Sequence, residues 1–183
     1  MSSPLIEEIR TPRLALIAMT PESILAEQSA NGDYHQLGDV IGCTIHPEWP
    51  HKDWEPHVLT FMLNQFADHP DRIGWNRYVA LREPDETRML VGCVGAMGKD
   101  DPLTTCEIGW GVLPSFEGRG YATEAILALL ERLRADKRIT SFIAHTFPSL
   151  HRSIRIMEKC GMVFDGDGEE AGTIRYRRDL RVP

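Results

Sequence analysis

No apolar run in the chain approaches the roughly 18 residues of a membrane-spanning helix, and residues 1–8 show no charged-then-apolar leader. These absences predict a soluble, cytoplasmic protein with no membrane partner. Positive charge is in short supply, since 20 Lys and Arg stand against 27 Asp and Glu, a net charge of -7. Such a chain does not attract nucleic acid as a whole, so no nucleic-acid partner is expected and any polyanionic ligand must be held by local donors. Cysteine is sparse: Cys43, Cys93, Cys106 and Cys160 lack the paired spacing of a zinc site. Three of them sit in apolar segments, as buried thiols in a reducing compartment do. His46, His51, His57, His69, His145 and His151 share no ligand spacing either, so no metal is expected. Long polar or low-complexity linkers are also missing, which suits one domain over residues 1–183.

What is present is organised around residues 107–123. Ile108, Trp110 and Val112 alternate with Glu107, Gly109 and Gly111 as two faces of a strand, which Pro114 ends. Gly118 and Gly120 then permit backbone conformations that other residues avoid, and Ala122, Ala125, Ile126, Leu129, Leu130 and Leu133 recur at helical spacing. A glycine turn that opens onto a helix offers free N–H groups and the positive end of a helix dipole, a seat for a diphosphate, with Arg119 adding charge. A tight turn with no ligand is the competing reading. The turn lacks the Gly-Lys-Ser/Thr of a P-loop and the third glycine of a dinucleotide fingerprint.

Along the rest of the chain, a first strand is expected over 13–18, then a helix from Thr20-Pro21-Glu22 to about Ala30. A short helix or loop follows over 34–43. Residues 45–54 are rich in proline and aromatics without period, a binding loop in which Trp49 and Trp54 either touch substrate or plug the core edge. A third helix is predicted over 53–67, strands over 75–81 and 90–97 joined by a hairpin turn at 84–87, and an antiparallel meander with the strand of Glu107. The helix after the glycine turn should run to about Asp136 and the next strand over 141–146, giving a parallel crossover. A helix over 149–159 capped by Gly161 and strands over 162–164 and 173–180 complete the pattern, with a solvated acidic turn at 165–170. Alternation sends Arg175 and Arg177 to one face, as a solvated face or a homodimer contact.

Glu117-Gly118-Arg119-Gly120-Tyr121-Ala122, continued by Thr123-Glu124-Ala125, resembles the acetyl-CoA signature Q/R-x-x-G-x-G/A of the GNAT N-acetyltransferase superfamily. Ser153-Ile154-Arg155-Ile156-Met157-Glu158-Lys159-Cys160-Gly161-Met162 is similar to its S-x-R-x-x-E-K-x-G-F segment, and Thr11-Pro12-Arg13-Leu14 to the T-x-R-L opening of the branch that acetylates ribosomal-protein N-termini. The resemblance implies an α+β fold, a mostly antiparallel sheet of six to seven strands flanked by helices, with two central parallel strands splayed apart. It implies acetyl-CoA as cosubstrate, bound by Trp110, Gly111 and Val112 along the strand and by Gly118, Arg119, Gly120, Tyr121, Ala122 and Thr123 at the turn. The acceptor would be a primary amine, either a protein N-terminus or a small molecule, against a wall holding Trp49 and Trp54. Glu107 is then the candidate base, although a strand glutamate in an ordinary ion pair reads the same way. The superfamily's usual tyrosine is Met157 here, so Ser153 is the candidate donor to the leaving thiolate or merely bonds its helix. Glu117 for Gln/Arg and Leu150 for asparagine depart from the pattern. A degenerate acyl-CoA sensor of the same fold is the alternative function.

Overall fold

The computed structural model describes residues 6–180 apart from 53, 55 and 86. Residues 1–5, used in reading the leader, Asp53 at the expected start of the third helix and Glu86 in the expected hairpin turn lie outside the described residues. Among the described residues nine strands form one mixed sheet in the order β1-β2-β4-β5-β6-β7-β9-β8, with β3 beside β5. In chain order they are β1 (Ile9–Arg10), β2 (Leu14–Ala18), β3 (Thr44–Ile45), β4 (Arg77–Arg82), β5 (Arg88–Gly98), β6 (Thr105–Val112), β7 (Ser141–Thr146), β8 (Val163–Asp167) and β9 (Ile174–Asp179). Seven have five residues or more, the number expected, and β1 and β3 are two-residue pieces that no pattern signals. All pairings are antiparallel except β3 with β5 and β6 with β7.

Five helices among the described residues flank the sheet: α1 (Pro21–Gln28), α2 (His35–Ile41), α3 (Pro56–Asp68), α4 (Tyr121–Leu133) and α5 (His151–Lys159). Local chemistry sets their ends. Thr20 and Ser23 form a reciprocal capping box on α1. At the end of α5, Met162 N–H reaches Met157 O and Gly161 N–H reaches Glu158 O, with Gly161 at φ +76°, the paired bonds of a Schellman cap. α4 buries Ala125, Ile126, Leu129, Leu130 and Leu133 against β2, β5 and β6, and α5 packs on β7. The 165–170 stretch departs from expectation. Asp165, Gly166 and Asp167 belong to β8, where a register shift after Phe164 and Gly166 at φ +93° make a bulge that absorbs the acidic residues into the strand.

Register fixes which side is which. Tyr78, Cys93 and Gly111 align across β4, β5 and β6, so they share the face onto which Gly109 and Glu107 also alternate. On that face the hydroxyl of Tyr78 donates to Glu27 Oε2 of α1 at 2.6 Å, while Trp49 Nε1 and Trp54 Nε1 donate to Oε1 at 3.0 and 2.9 Å. A buried carboxylate thus ties α1, the aromatic loop and the sheet together. Burial pushes the pKa of Glu27 up from its ordinary 4.5, and the three donors offset only part of that.

Glu27→Ala leaves three donors without their acceptor and is expected to cost about 3 kcal/mol or more in urea unfolding. Because the folded-state pKa is raised, the folded protein holds the Glu27 proton more tightly than the unfolded chain. That contribution is whole below pH 4.5 and fades as pH rises through the raised value. Stability across that window should therefore fall with pH more steeply in wild type than in Glu27→Gln; identical slopes would contradict the assignment.

Candidate active site

Past β6 the chain makes a 3-10 turn at Pro114–Phe116, then passes through Gly118 at φ +73° and Gly120 at φ +82° into α4. Among the described residues no acceptor takes the backbone N–H of Gly118, Arg119, Gly120, Tyr121, Ala122 or Thr123; the first helical bond runs from Glu124 N to Gly120 O at 3.1 Å. Consecutive free N–H groups at the positive end of a helix dipole form an anion seat. The opening segment of the chain holds this turn. Arg13 Nε donates to Glu124 Oε2 at 2.7 Å, its Nη1 to Arg119 O at 2.9 Å, and its guanidinium lies 4.6 Å from the centre of the Tyr121 ring. Thr11 Oγ1 and Arg13 N donate to Glu124 Oε1 at 2.6 and 3.0 Å. Burial works against the Glu124 carboxylate, but these bonds outweigh it and lower its pKa. The carboxylate of Glu117, the departure at the turn's first position, is paired with Arg152 of α5 at 2.6 Å.

β6 and β7 pair only at Thr105–Ser141, Cys106–Phe142 and Glu107–Ile143. Beyond Glu107 the strands part: β6 continues to Val112 on β5 alone, and β7 continues to Thr146 on β9. A cavity of about 330 Å³ lies beside β6, walled by residues 107–111, by Val58, Phe61, Met62 and Phe66 of α3 and by Trp54. At Gly111 the backbone and the His51 ring are close, since a Cβ would sit 3.3 Å from that ring. Glu107, on the cavity wall, receives two partners: His145 Nδ1 at 2.7 Å from Oε1 and Lys99 Nζ at 3.0 Å from Oε2. Lys99 also meets Glu169 at 2.7 Å. Burial disfavours the Lys99 ammonium, yet its bonds to Glu169 and Glu107 prevail and raise its pKa.

Residues 32–163 match the family model for the acetyltransferase (GNAT) domain. The chain belongs to the GNAT acetyltransferase family. A Bacillus subtilis protein, YnaD, described as an uncharacterized N-acetyltransferase, is 39% identical over 62 residues, which is 34% of this chain and 36% of that relative's length. Among solved structures, a GNAT-family acetyltransferase from Bacillus anthracis superposes with TM-score 0.60 at 22% identity, over 94% of this chain and 98% of the other. RimL, a ribosomal L7/L12 alpha-N-protein acetyltransferase in complex with coenzyme A, does so with TM-score 0.64 at 15% identity, over 95% and 98%.

Within this GNAT acetyltransferase the expected site residues are distributed unevenly. Trp110 and Gly111 line the cavity, Val112 ends β6, and the turn from Gly118 to Thr123 follows directly. Trp54 lines the cavity, whereas Trp49 is 4% exposed, absent from that wall and spent on Glu27. Trp49 therefore props the loop that carries Trp54. Ser153 is partly buried in the first turn of α5, directly after β7. His145 and Lys99 escaped sequence reasoning. Alternation along β7 puts His145 on the face of Ile143, but only the Glu107–Ile143 register brings it to Glu107. Among the described residues no helix is long and apolar enough to cross a membrane.

Gly120→Ala forces an L side chain into a left-handed conformation, and is expected to cost about 1–2 kcal/mol in denaturant unfolding. A neutral result would mean that the turn has no conformational constraint at this position.

Proposed function

We propose that this GNAT acetyltransferase transfers an acetyl group from acetyl-CoA to a primary amine by direct attack. The observation that carries the reading is the run of free N–H groups from Gly118 to Thr123 at the mouth of the parting between β6 and β7. These groups, with Arg119, hold the diphosphate, and the open edge of β6 at Trp110 and Val112 pairs with the amides of the pantetheine arm as an added strand would. Bound acetyl-CoA supplies the activated thioester. The T-x-R-L opening, the S-x-R-x-x-E-K-x-G segment and the fold shared with RimL support a place beside the branch that acetylates ribosomal-protein N-termini.

An aliphatic amine has a pKa of about 10.4 and an α-amine of about 8, so the acceptor arrives largely protonated. Among the described residues Glu107 is the one carboxylate in the cavity wall, and it takes that proton. Lys99 and His145 occupy one direction at each of its oxygens; a carboxylate has about four lone-pair sites, which leaves room for the ammonium. Lys99 and His145 are thus positioning residues. The nitrogen forms its bond to the acetyl carbon while the carbon–sulfur bond breaks, and backbone N–H groups of β6 steady the developing oxyanion. Of the two protons that nitrogen loses, one ends on the departing sulfur, delivered by the Ser153 hydroxyl, and the other leaves to solvent.

Calorimetric titration with acetyl-CoA should show micromolar binding, with no response to NAD or ATP; absence of acetyl-CoA binding removes the reading. Glu107→Gln should lower kcat by roughly 10²- to 10⁴-fold with acetyl-CoA affinity retained. Release of free thiol across an amine panel measures this, and full activity in the variant would exclude Glu107 as the proton acceptor.

A further inference from the structure

Two carboxylates flank the glycine turn, and they are held differently. Glu124, its side chain 17% exposed, accepts from Thr11 Oγ1, Arg13 N and Arg13 Nε. Arg13 is committed in turn, since its Nη1 also holds Arg119 O at 2.9 Å and its guanidinium lies over the Tyr121 ring. Glu117 meets one partner among the described residues, Nη1 of Arg152 at 2.6 Å. That pair stands in solvent, with the Arg152 side chain 80% exposed and that of Glu117 42% exposed. An exposed pair of one contact is weakly held, because water screens it and two long side chains must be fixed to make it. Glu117 directly precedes Gly118, where the run of free N–H groups begins, and Arg152 lies in the first turn of α5, the helix that follows β7. The pair therefore ties together the two chain segments that leave the parting strands. It sets a carboxylate next to a seat for an anion, and next to that carboxylate a guanidinium with further N–H groups in its fork.

We propose that Glu117 and Arg152 form an exchangeable latch across the mouth: when the cosubstrate binds, Arg152 releases Glu117 and turns its guanidinium to a phosphate group. Arg152 is then a further cosubstrate-binding residue, and Glu117 is its competing partner in the free protein. This rests on the acetyl-transfer reading above and adds a residue to the same cosubstrate site. The balance of interactions favours the exchange. A phosphate offers the planar fork two charged oxygens at once, a bidentate contact stronger than a single bond to a solvated carboxylate. In the free protein the pair has its own use, since a bare carboxylate beside the turn would repel an approaching anion in a chain already of net charge -7. Glu124 and Arg13 cannot exchange in this way, because each would abandon several bonds that hold the turn in shape. The diphosphate and the ribose 3′-phosphate of coenzyme A share the chemistry that Arg152 recognises.

Calorimetric titration with coenzyme A, which binds without turnover, tests the exchange in wild type, Glu117→Gln, Arg152→Gln and the double variant. Glu117→Gln should tighten binding roughly three- to tenfold, since the competing partner and a like charge are both gone. Arg152→Gln alone should weaken binding only about threefold, because the lost phosphate contact is offset by a pair that no longer has to break. In the Glu117→Gln background nothing offsets it, and the same change should cost about tenfold or more. Arg152→Lys should keep part of the affinity, and if Arg152→Gln does not fold, Arg152→Lys carries the comparison in both backgrounds. Charges acting only through their field would give equal losses in the two backgrounds. A static strut that shapes the mouth would give weaker binding when either partner is removed and no further loss with the second. Either result, or unchanged affinity throughout, overturns the latch. Repeating the series with dephospho-coenzyme A identifies the phosphate: coupling that persists assigns Arg152 to the diphosphate, and coupling that vanishes assigns it to the 3′-phosphate. Wild type that binds coenzyme A while the variants follow either alternative keeps the acetyltransferase and removes the latch. Wild type that binds neither coenzyme A nor acetyl-CoA removes both.

Discussion

The ladder between β6 and β7 stops after Glu107–Ile143, and the rest of the site follows from that stop. Two parallel strands can part inside a sheet only if each is held elsewhere. β6 keeps its antiparallel ladder to β5 as far as Val112, and β7 keeps its own to β9 as far as Thr146. The parting therefore costs few backbone hydrogen bonds, and it leaves edge groups available for an extended ligand. Because α4 follows β6 and α5 follows β7, both helices begin beyond the ends at which the strands separate. The free N–H groups of the turn stand at that mouth, and the cavity lies beside the same strand.

In a protein of net charge -7, any attraction for a polyanion has to be concentrated locally. Here the attraction comes from oriented backbone rather than from a basic surface. The amides hold their aim because the chain's opening segment grips the turn from the side: Arg13 bonds Arg119 O and Glu124, and Thr11 bonds Glu124. Glu124 serves twice, as an acid in the first turn of α4, where the dipole favours it, and as the acceptor for these donors. Glu117 is neutralised by Arg152, so the unusual carboxylate at the turn does not stand unopposed near the anion seat.

Glu107 is a glutamate in an ion pair and also lies on a cavity wall. Lys99 and His145 fix its rotamer from two sides, and Glu169 holds Lys99 in turn. A side chain held in this way has little rotamer freedom left to lose. The aromatic loop is arranged on the same plan. Trp49 and Trp54 both donate to Glu27, yet one is consumed in anchoring and the other is turned to the cavity.

Much of this was legible in the residues alone. Alternation on β6, the paired glycines and the helical period of α4 are local signals, each written within a few residues, and they determined the strand–turn–helix by themselves, as the Gly161 cap determined the end of α5. The boundaries of β4 and β5, the bulge in β8 and the two-residue strands were not legible, since hydrogen bonding to distant neighbours decides where a strand starts and stops. The partners of Glu107 and the fate of each tryptophan also belong to the tertiary structure. They depend on the register of β6 against β7 and on the packing of α3 and its loops over the sheet. Such contacts join residues tens of positions apart, and no local periodicity records them.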